Sequence, residues 1–285
     1  MSGKLFSGTK HKNGGSMKTV KELKTLEEHC TYVERFARIS FFYASKYLSK
    51  RFPEKKLSEL ITAHTPIRYH GFNLSQEEWK TEPRCLRLLE DADTLSSLPP
   101  EEFEEEMWKR NSAFARERAE LNYPNAVGVK APPSWNCGSL KYDTPAEHPA
   151  LSPRRIVFHI ANSVGPYSIF EDSEYLARCF LLLLKETRLK YGSDDLFTGT
   201  WLNEHPSFLK YFPEEWRTNM APRKEEKPVP EWHFGWWGQL VTGRGTINPK
   251  AEDFVRQNGC LRFACRSSHC SYDAMEKHLK ENFLP

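Results

Sequence analysis

Two histidines lie in apolar surroundings, where an imidazole could transfer protons. His159 lies inside the apolar run at residues 155–161, and His233 lies in an aromatic run at residues 232–239. Imidazole has the side-chain pKa closest to neutrality, which suits acid/base catalysis. An unpaired buried imidazole costs about 1–3 kcal/mol, so one shared polar cavity is the economical arrangement. We therefore expect His159 and His233 to be a catalytic pair. The alternative is that each is a hydrogen-bonded core histidine.

Polar side chains follow two predicted strands at the point where each strand ends. Asn162, Ser163 and Tyr167 follow the first of these strands, and Asn203 and Glu204 follow the second. Ligands of open sheets bind outside the carboxyl ends of parallel strands. If the two strands are parallel neighbours, Asn203, Glu204 and His205 come close to Asn162 and Ser163. We expect Asn162, Ser163, Tyr167, Asn203 and Glu204 to bind a substrate. The alternative is an ordinary turn after the first strand and helix capping after the second.

The aromatic segment is unusually dense in large rings. Residues 232–238 include three tryptophans, one phenylalanine, one histidine and two glycines. Aromatic walls with a few polar groups are typical of a small-molecule pocket. We expect Trp236 and Trp237 to form such walls and Gln239 to orient the substrate or stabilise negative charge that develops on it. The alternative is a core strand whose indole N–H groups are satisfied.

One arginine is flanked by glycines. Arg244 stands between Gly243 and Gly245, so a ligand could approach it closely. A guanidinium can bind a carboxylate or a phosphate through two parallel hydrogen bonds, and we include Arg244 among the substrate-binding residues. The surrounding residues lack the full pattern of a phosphate-binding loop. The motifs of serine hydrolases, dinucleotide-binding proteins and zinc proteases are also absent.

A metal is the alternative to a cofactor-independent enzyme. His159 and His233, together with a carboxylate such as Glu204 or Asp172, could hold iron or zinc. The pattern of two histidines and a carboxylate found in facial-triad oxygenases is not present, because Ala161 stands where the carboxylate would be. The leading hypothesis therefore involves no metal and no other cofactor.

The cysteines do not form a recognisable metal or disulfide pattern. Their number is seven, which is odd, and their spacing is irregular. Cys260, Cys265 and Cys270, with His269, form the one local group that resembles a zinc site, but it lacks the closely spaced cysteine pairs of structural zinc sites. We expect free thiols, and a reducing compartment such as the cytoplasm.

The first half of the sequence predicts helices. A capping box at Thr25 and apolar residues at every third or fourth position predict a helix to about Lys50. Further helices are predicted at 54–63, after a second capping box at Ser75, at 84–93 and at 100–121. Residues 123–153 are rich in Pro, Gly and Asn, and we expect them to form a connecting loop that covers a site.

The second half alternates between strand and helix. Strands are predicted at 155–161 and 196–202, with a helix at 174–191 between them, an order that favours parallel pairing. Residues 232–241 are predicted to be a strand or a buried turn. Helices are predicted at 249–257 and after Ser271. The fold class is therefore α+β or α/β, with a helical N-terminal half packed on a mixed sheet formed mainly by residues 150–245.

Composition sets the outer limits on function. The chain has 285 residues, 39% of them hydrophobic, and a formal charge of +3 from 41 basic and 38 acidic residues. This balance gives little attraction for nucleic acid. The sequence contains no apolar run approaching the roughly 20 residues of a membrane span. We expect a flexible tail at residues 1–16 and a single globular domain at 17–285, comprising a helical part (17–122), the loop (123–153) and a mixed part (154–285).

These features together favour an enzyme that acts on a small, partly apolar organic molecule by histidine-assisted proton transfer. The reaction would be an isomerisation, elimination, cyclisation or hydrolysis, as in specialised metabolism. The two alternatives are a metal-dependent enzyme with two histidine ligands and a non-catalytic binding or scaffold protein that uses residues 232–237. We expect a small-molecule substrate as partner, without nucleic acid or membrane. The oligomeric state stays open.

Overall fold

The N-terminal half of the protein is helical, as the sequence predicts. A computed structural model describes residues 21–127, 136–223 and 234–284; the predicted tail at 1–16 and His233 lie outside these ranges. The first helices are α1 (Leu26–Tyr43), α2 (Ser49–Arg51), α3 (Leu57–His64), α4 (Gln76–Thr81), α5 (Pro83–Thr94) and α6 (Pro100–Ala126). A π-helical segment, Ala44–Leu48, joins α1 to α2, and a second one, Ile67–Gly71, follows α3.

Both predicted capping boxes are present. The Thr25 side chain accepts a hydrogen bond from the backbone N–H of Glu28, and the Glu28 carboxylate accepts one from the backbone N–H of Thr25. Ser75 and Glu78 form the same reciprocal pair at the start of α4. These bonds satisfy backbone donors that an N-terminal turn leaves free, so the sequence locates the start of each helix.

A four-stranded mixed sheet forms the second half. Its strands are β1 (Leu140–Asp143), β2 (Arg155–Ile160), β3 (Asp195–Thr200) and β4 (Arg266–Ser271), in the order β1-β2-β3-β4. Strands β2 and β3 are parallel, as predicted, and α7 (Ser173–Tyr191) connects them. Strands β1 and β4 pair antiparallel at the two edges. The class is therefore α+β, although two of the four strands lie outside residues 150–245.

The remaining helices are short or lie near the C-terminus. They are α8 (Pro206–Leu209), α9 (Glu214–Thr218), α10 (Phe234–Trp237), α11 (Pro249–Asn258) and α12 (Tyr272–Phe283). The described part of the aromatic segment forms α10 and a 3-10 turn, Gly238–Leu240, in which Gln239 and Leu240 are buried; of the two predicted alternatives, the buried turn is therefore present and the strand is not. None of the helices in the described ranges is long and apolar enough to cross a membrane.

The buried side chains form two separate clusters. The first joins α1, α3, α5 and α6, and it includes Trp237, Leu240 and Val255 from the C-terminal half. The second lies between one face of the sheet, α7 and α12, with Trp216 among its largest side chains. The C-terminal half thus completes the helical core before it returns to the sheet at β4.

Candidate functional site

A cleft opens where segments from the two cores meet. Its volume is about 210 Å³. The walls come from the segment before α1, the end of α6, the turn after β2 and the loop after Leu240. The lining residues are Leu23, Lys24, Ala126, Val127, Asn162, Gly165, Pro166, Val241, Thr242, Gly243, Arg244 and Gly245. Two residues predicted to bind substrate, Asn162 and Arg244, therefore line one cavity.

Asn162 ties the turn after β2 to the opposite wall. Its side-chain amide donates to the carbonyl of Tyr167 at 2.8 Å and to the carbonyl of Gly243 at 3.1 Å. Its side-chain oxygen accepts from the backbone N–H of Val164 at 3.2 Å. A Cβ on Gly243 would lie 3.2 Å from the backbone nitrogen of Ser168, so this close approach favours glycine. Asn162 therefore shapes the cleft.

The loop that carries Arg244 is a tight turn. An isolated antiparallel bridge joins Val241 to Ile247, and the backbone N–H of Thr242 donates to the carbonyl of Thr246 at 2.9 Å. Gly245 adopts a φ of 79°, a region that side chains with a Cβ rarely occupy. This geometry projects the Arg244 side chain toward the segment that precedes α1.

Arg244 clamps that segment in place. Its guanidinium donates to the carbonyls of Glu22 at 3.0 Å and Leu23 at 3.1 Å. It also pairs with the Glu28 carboxylate at 2.8 Å. Most of its hydrogen-bonding capacity is therefore used within the protein, and its principal effect is to position the neighbouring Lys24.

Lys24 is the cationic group that sequence reasoning missed in this cleft. Only 6% of the residue is exposed, and its amine donates to the carbonyl of Gly245 at 3.2 Å. The amine also lies 4.9 Å from the centre of the Tyr32 ring. Burial lowers the pKa of Lys24 to about 8, although the Glu28 carboxylate acts in the opposite direction. No local signal marks this lysine, because contacts 221 residues away in the sequence bury it.

His159 lies on the other face of the sheet from the buried core. Its Nε2 lies 2.6 Å from Asp143 Oδ2, and the Nε2 of His148 lies 2.9 Å from the same oxygen. The side chain of His159 is 43% exposed, so it is not the enclosed imidazole that the apolar strand suggested. Strand β1 supplies the carboxylate, because Lys141 pairs with His159 and places Asp143 two residues along the same face.

Burial alone would raise the pKa of Asp143. The hydrogen bonds from His148 and His159 outweigh it, and the net effect is a pKa below the ordinary value of 3.8. A carboxylate that holds one imidazole nitrogen leaves the other for chemistry, and Nδ1 of His159 makes no hydrogen bond within the described structure. This arrangement can support general acid/base catalysis.

The other side chains predicted after β2 have partners within the protein. Ser163 Oγ lies 2.6 Å from Ser139 Oγ and 3.1 Å from the hydroxyl of Tyr175, in a network of three hydroxyls. The Tyr167 hydroxyl accepts from the backbone N–H of Lys21 at 3.2 Å. Neither side chain is among the lining residues of the cleft.

The polar residues after β3 also bond internally. Asn203 is 1% exposed, donates to the carbonyls of Thr198 and Arg266, and accepts from the Trp216 indole at 3.0 Å. Glu204 accepts from the backbone N–H of Ala264 at 2.9 Å. These bonds fasten the segment after β3 to its neighbours, and none of them joins it to Asn162 or Ser163.

Aromatic rings nevertheless join the segments after β2 and β3. The His205 ring stacks on Phe170 with centroids 5.7 Å apart and lies edge-on to Phe263 at 5.6 Å. The Trp201 indole donates to the carbonyl of Gly235 at 2.9 Å. Burial, with a smaller contribution from the charge of Arg262, lowers the pKa of His205. Of the three residues after β3 that were expected near the turn after β2, His205 therefore contacts the segment after β2, through Phe170.

The described part of the aromatic segment is largely core. Trp237 is completely buried and meets Tyr43 edge-on at 5.5 Å between ring centroids, whereas Trp236 is half-buried. Gln239 donates to the carbonyl of Phe263 at 2.8 Å and accepts from its backbone N–H at 2.9 Å. Trp232 and His233 lie outside the described residues, so the expected pairing of His233 with His159 stays a prediction.

A larger hollow, about 290 Å³, lies between α1 and α6. Its lining includes Cys30, Trp108 and Arg116. The charge of Arg116 is already paired with Glu27 at 3.2 Å and Glu120 at 2.8 Å. Burial raises the pKa of the Cys30 thiol and so disfavours the reactive thiolate. This hollow offers less chemistry than the cleft.

The described residues that were considered as metal ligands do not come together in one site. Asp172 caps α7, accepting from the backbone N–H of Tyr175 at 3.0 Å. All seven cysteines are free thiols, including Cys260, Cys265 and Cys270. Across residues 21–127, 136–223 and 234–284, no group of three or more His, Cys, Asp or Glu side chains is arranged to hold a metal ion. The iron or zinc alternative required His233 and stays a prediction.

Neither a family model, nor a curated protein, nor a solved structure matches this chain.

Proposed function

We propose that this protein is an enzyme that binds a small, partly apolar organic molecule in the cleft and acts on it by proton transfer. The single observation that carries the proposal is a buried, poorly neutralised amine, that of Lys24, at an open cavity with apolar walls. Leu23, Val127, Pro166 and Val241 supply the apolar surface. Apolar walls with a few convergent polar groups are the usual composition of a small-molecule site.

The volume of the cleft limits the size of the substrate. The cleft measures about 210 Å³. Pockets for drug-sized ligands are larger, roughly 300–1,000 Å³. The substrate is therefore a compact metabolite rather than an extended polymer or a nucleotide.

Histidine assistance remains part of the proposal at His159. Asp143 orients its ring, and the residue lies three positions before Asn162, at the end of β2. His159 does not line the cleft, so its participation is separable from binding. The alternative of a non-catalytic scaffold protein would need the aromatic segment to form an exposed patch. Among its described residues, Trp237 is buried and Trp236 is half-buried, so the structure favours this alternative less.

The test is to fill the cleft with a larger side chain and to measure which ligands then no longer bind. A library of small acids, amides, aldehydes and ketones is screened by ligand-observed NMR against the wild type, V127W and L121W. Val127 follows α6 directly and lines the cleft, whereas Leu121 lies within α6, is 62% exposed and serves as the control. We expect the screen to find ligands whose affinity for the wild type and for L121W is at least tenfold higher than their affinity for V127W. Equal binding to all three, or no ligand at all, would contradict the cleft as the site.

The histidine part is tested on the ligands that the screen finds. Turnover of each is followed by NMR for the wild type and for H159Q, with H278Q as a control histidine on α12. General acid/base catalysis contributes about 10²–10⁴ in rate, so H159Q should lose at least about 100-fold in kcat with binding unchanged. Undiminished kcat in H159Q would assign the proton transfer to groups within the cleft instead.

A further inference from the structure

We propose that Lys24 is a carbonyl-reactive amine, which binds small aldehydes or ketones in the cleft by forming an imine with them. The inference rests on the proposed function, because it uses the same cavity. It deepens that function by naming the chemical class of the ligand and the atom that bonds to it.

Lys24 lines the cavity and has no ion-pair partner among the described residues. Lys24 is among the lining residues although it is 6% exposed. Within the described chain its amine forms one hydrogen bond, to the carbonyl of Gly245, and no ion pair. Burying an ammonium without a paired anion is costly, so such a site favours the neutral amine.

Glu28, the acidic residue whose charge acts on Lys24, is already engaged by other groups. Glu28 accepts from the backbone N–H of Thr25 at 2.7 Å and pairs with Arg244 at 2.8 Å. Arg244 thereby competes with Lys24 for that carboxylate. The balance leaves the pKa of Lys24 at about 8, with burial as the main cause. A usable fraction of the amine is therefore a nucleophile near neutral pH.

A buried imidazole lies near this lysine. His29 is 4% exposed, and neither of its ring nitrogens has a hydrogen-bond partner among the described residues. Burial, and then the charge of Lys24, lowers the pKa of His29 to about 4, so the imidazole is neutral. Its ring stacks on Tyr32, the same ring that Lys24 faces. An unpartnered neutral imidazole can relay a proton, which imine formation requires.

The proposed reaction balances without an oxidant. The nitrogen lone pair attacks the carbonyl carbon, a C–N bond forms, and the C=O π electrons move to oxygen. One amine proton is lost and the oxygen gains one, which gives a carbinolamine. The second amine proton and the hydroxyl group then leave as water, and the C=N double bond forms. A neutral amine is required at the first step, and the apolar walls favour the dehydrated product.

The test is to trap the imine by reduction. The full-length protein is incubated with propanal or pyruvate and sodium cyanoborohydride at pH 7, and the modified lysines are located by peptide mass mapping. Hydride transfer from the reagent converts the imine to a stable secondary amine. K24M and K24R remove the nucleophile, and K21R is the matched control, since Lys21 is a neighbouring exposed lysine.

We expect Lys24 to be modified at least tenfold faster than Lys21. At pH 7 roughly 10% of an amine with a pKa of about 8 is neutral, against less than about 0.1% of an ordinary lysine. K24M and K24R should lose this fast adduct, and K21R should keep it. Adducts distributed over exposed lysines with Lys24 unmodified would overturn the proposal. K24M retains the alkyl stem and removes a buried charge, so it should fold.

The two proposals fail in different ways. V127W should slow modification of Lys24 at least tenfold by blocking access to the amine, whereas L121W should not. Aldehydes or ketones that bind in the cleft without any adduct at Lys24 would leave the cleft as the site and reject the imine. An adduct at Lys24 that V127W does not slow would reject the cleft as the route of entry, and with it the proposed binding site.

Discussion

One carboxylate oxygen of Asp143 is hydrogen-bonded to two imidazoles, those of His148 and His159. These bonds determine how the stability contributed by Asp143 depends on pH. Burial raises the pKa of Asp143, but the hydrogen bonds from His148 and His159 lower it by more, so the folded-state pKa lies below 3.8. A lowered carboxyl pKa stabilises the folded state at pH values above 3.8. That stabilisation disappears as the pH falls through the lower folded-state value.

The substitution D143N should therefore have a pH-dependent cost. At pH 7 we expect it to reduce the free energy of unfolding by roughly 1–2 kcal/mol, because two hydrogen bonds to a charged acceptor are weakened. The difference from the wild type should shrink as the pH falls below 3.8. Urea unfolding at a series of pH values measures this, with D253N, an exposed aspartate on α11, as the control. A difference that is constant with pH would mean that the charge of Asp143 is irrelevant.

At the scale of elements, two helices end in the same way but in different surroundings. Gly192 follows α7 with a φ of 64°, and Gly259 follows α11 with a φ of 67°. A Cβ on Gly192 would meet no atom within 4 Å, whereas a Cβ on Gly259 would lie 2.4 Å from the ring of Tyr47. The Tyr47 hydroxyl also donates to the carbonyl of Arg256 in α11 at 2.7 Å. Tyr47 thus packs across the end of α11 and joins it to the N-terminal helices.

The two glycine-to-alanine variants separate backbone strain from packing. G192A should cost about 1 kcal/mol, the usual penalty of a left-handed conformation. G259A should cost a further 1–3 kcal/mol or so, because the Tyr47 ring must move. Thermal and urea unfolding measure both. Equal costs would show that the end of α11 relaxes without disturbing Tyr47.

The elements that were predictable from sequence carry strong local signals. The capping boxes at Thr25 and Ser75 and the glycine after α7 mark helix ends by chemistry within a few residues. Strands β1 and β4 were not predicted. The first, LKYD, lies in a stretch rich in Pro and Gly, and the second, RSSHCS, lacks apolar alternation. Both are edge strands, whose existence depends on pairing with distant neighbours rather than on their own pattern.

The same distinction applies to the candidate site. The end of β2 contributes Asn162 to the cleft, and Arg244 also lines it, whereas no residue of the segment after β3 is among the lining residues. Lys24 could not be identified, because its burial depends on a loop that follows more than 200 residues later. Asn203 and Gln239 are placed by internal hydrogen bonds that composition alone does not distinguish from ligand contacts.

At the scale of the whole molecule, the chain passes three times between its two cores. It builds the helical core, moves to the sheet, returns to the helical core through Trp237 and Val255, and ends at the sheet through β4 and α12. The cleft lies along these crossings, with walls from both halves. Loss of either core would therefore displace part of the site.

This connectivity leads us to expect cooperative unfolding of both cores, as for a single domain. Trp237 in the first core and Trp216 in the second are both fully buried. W237A and W216A should each cost about 3–5 kcal/mol, the usual range for truncating a buried large side chain. Because the chain crosses between the cores, W237A should reduce amide protection in β3 as strongly as in α1. W216A should likewise reduce amide protection in α1 as strongly as in β3. Native-state hydrogen exchange measures protection at both places. If each variant reduces protection in its own core only, the two cores unfold independently, and the cleft joins two autonomous units.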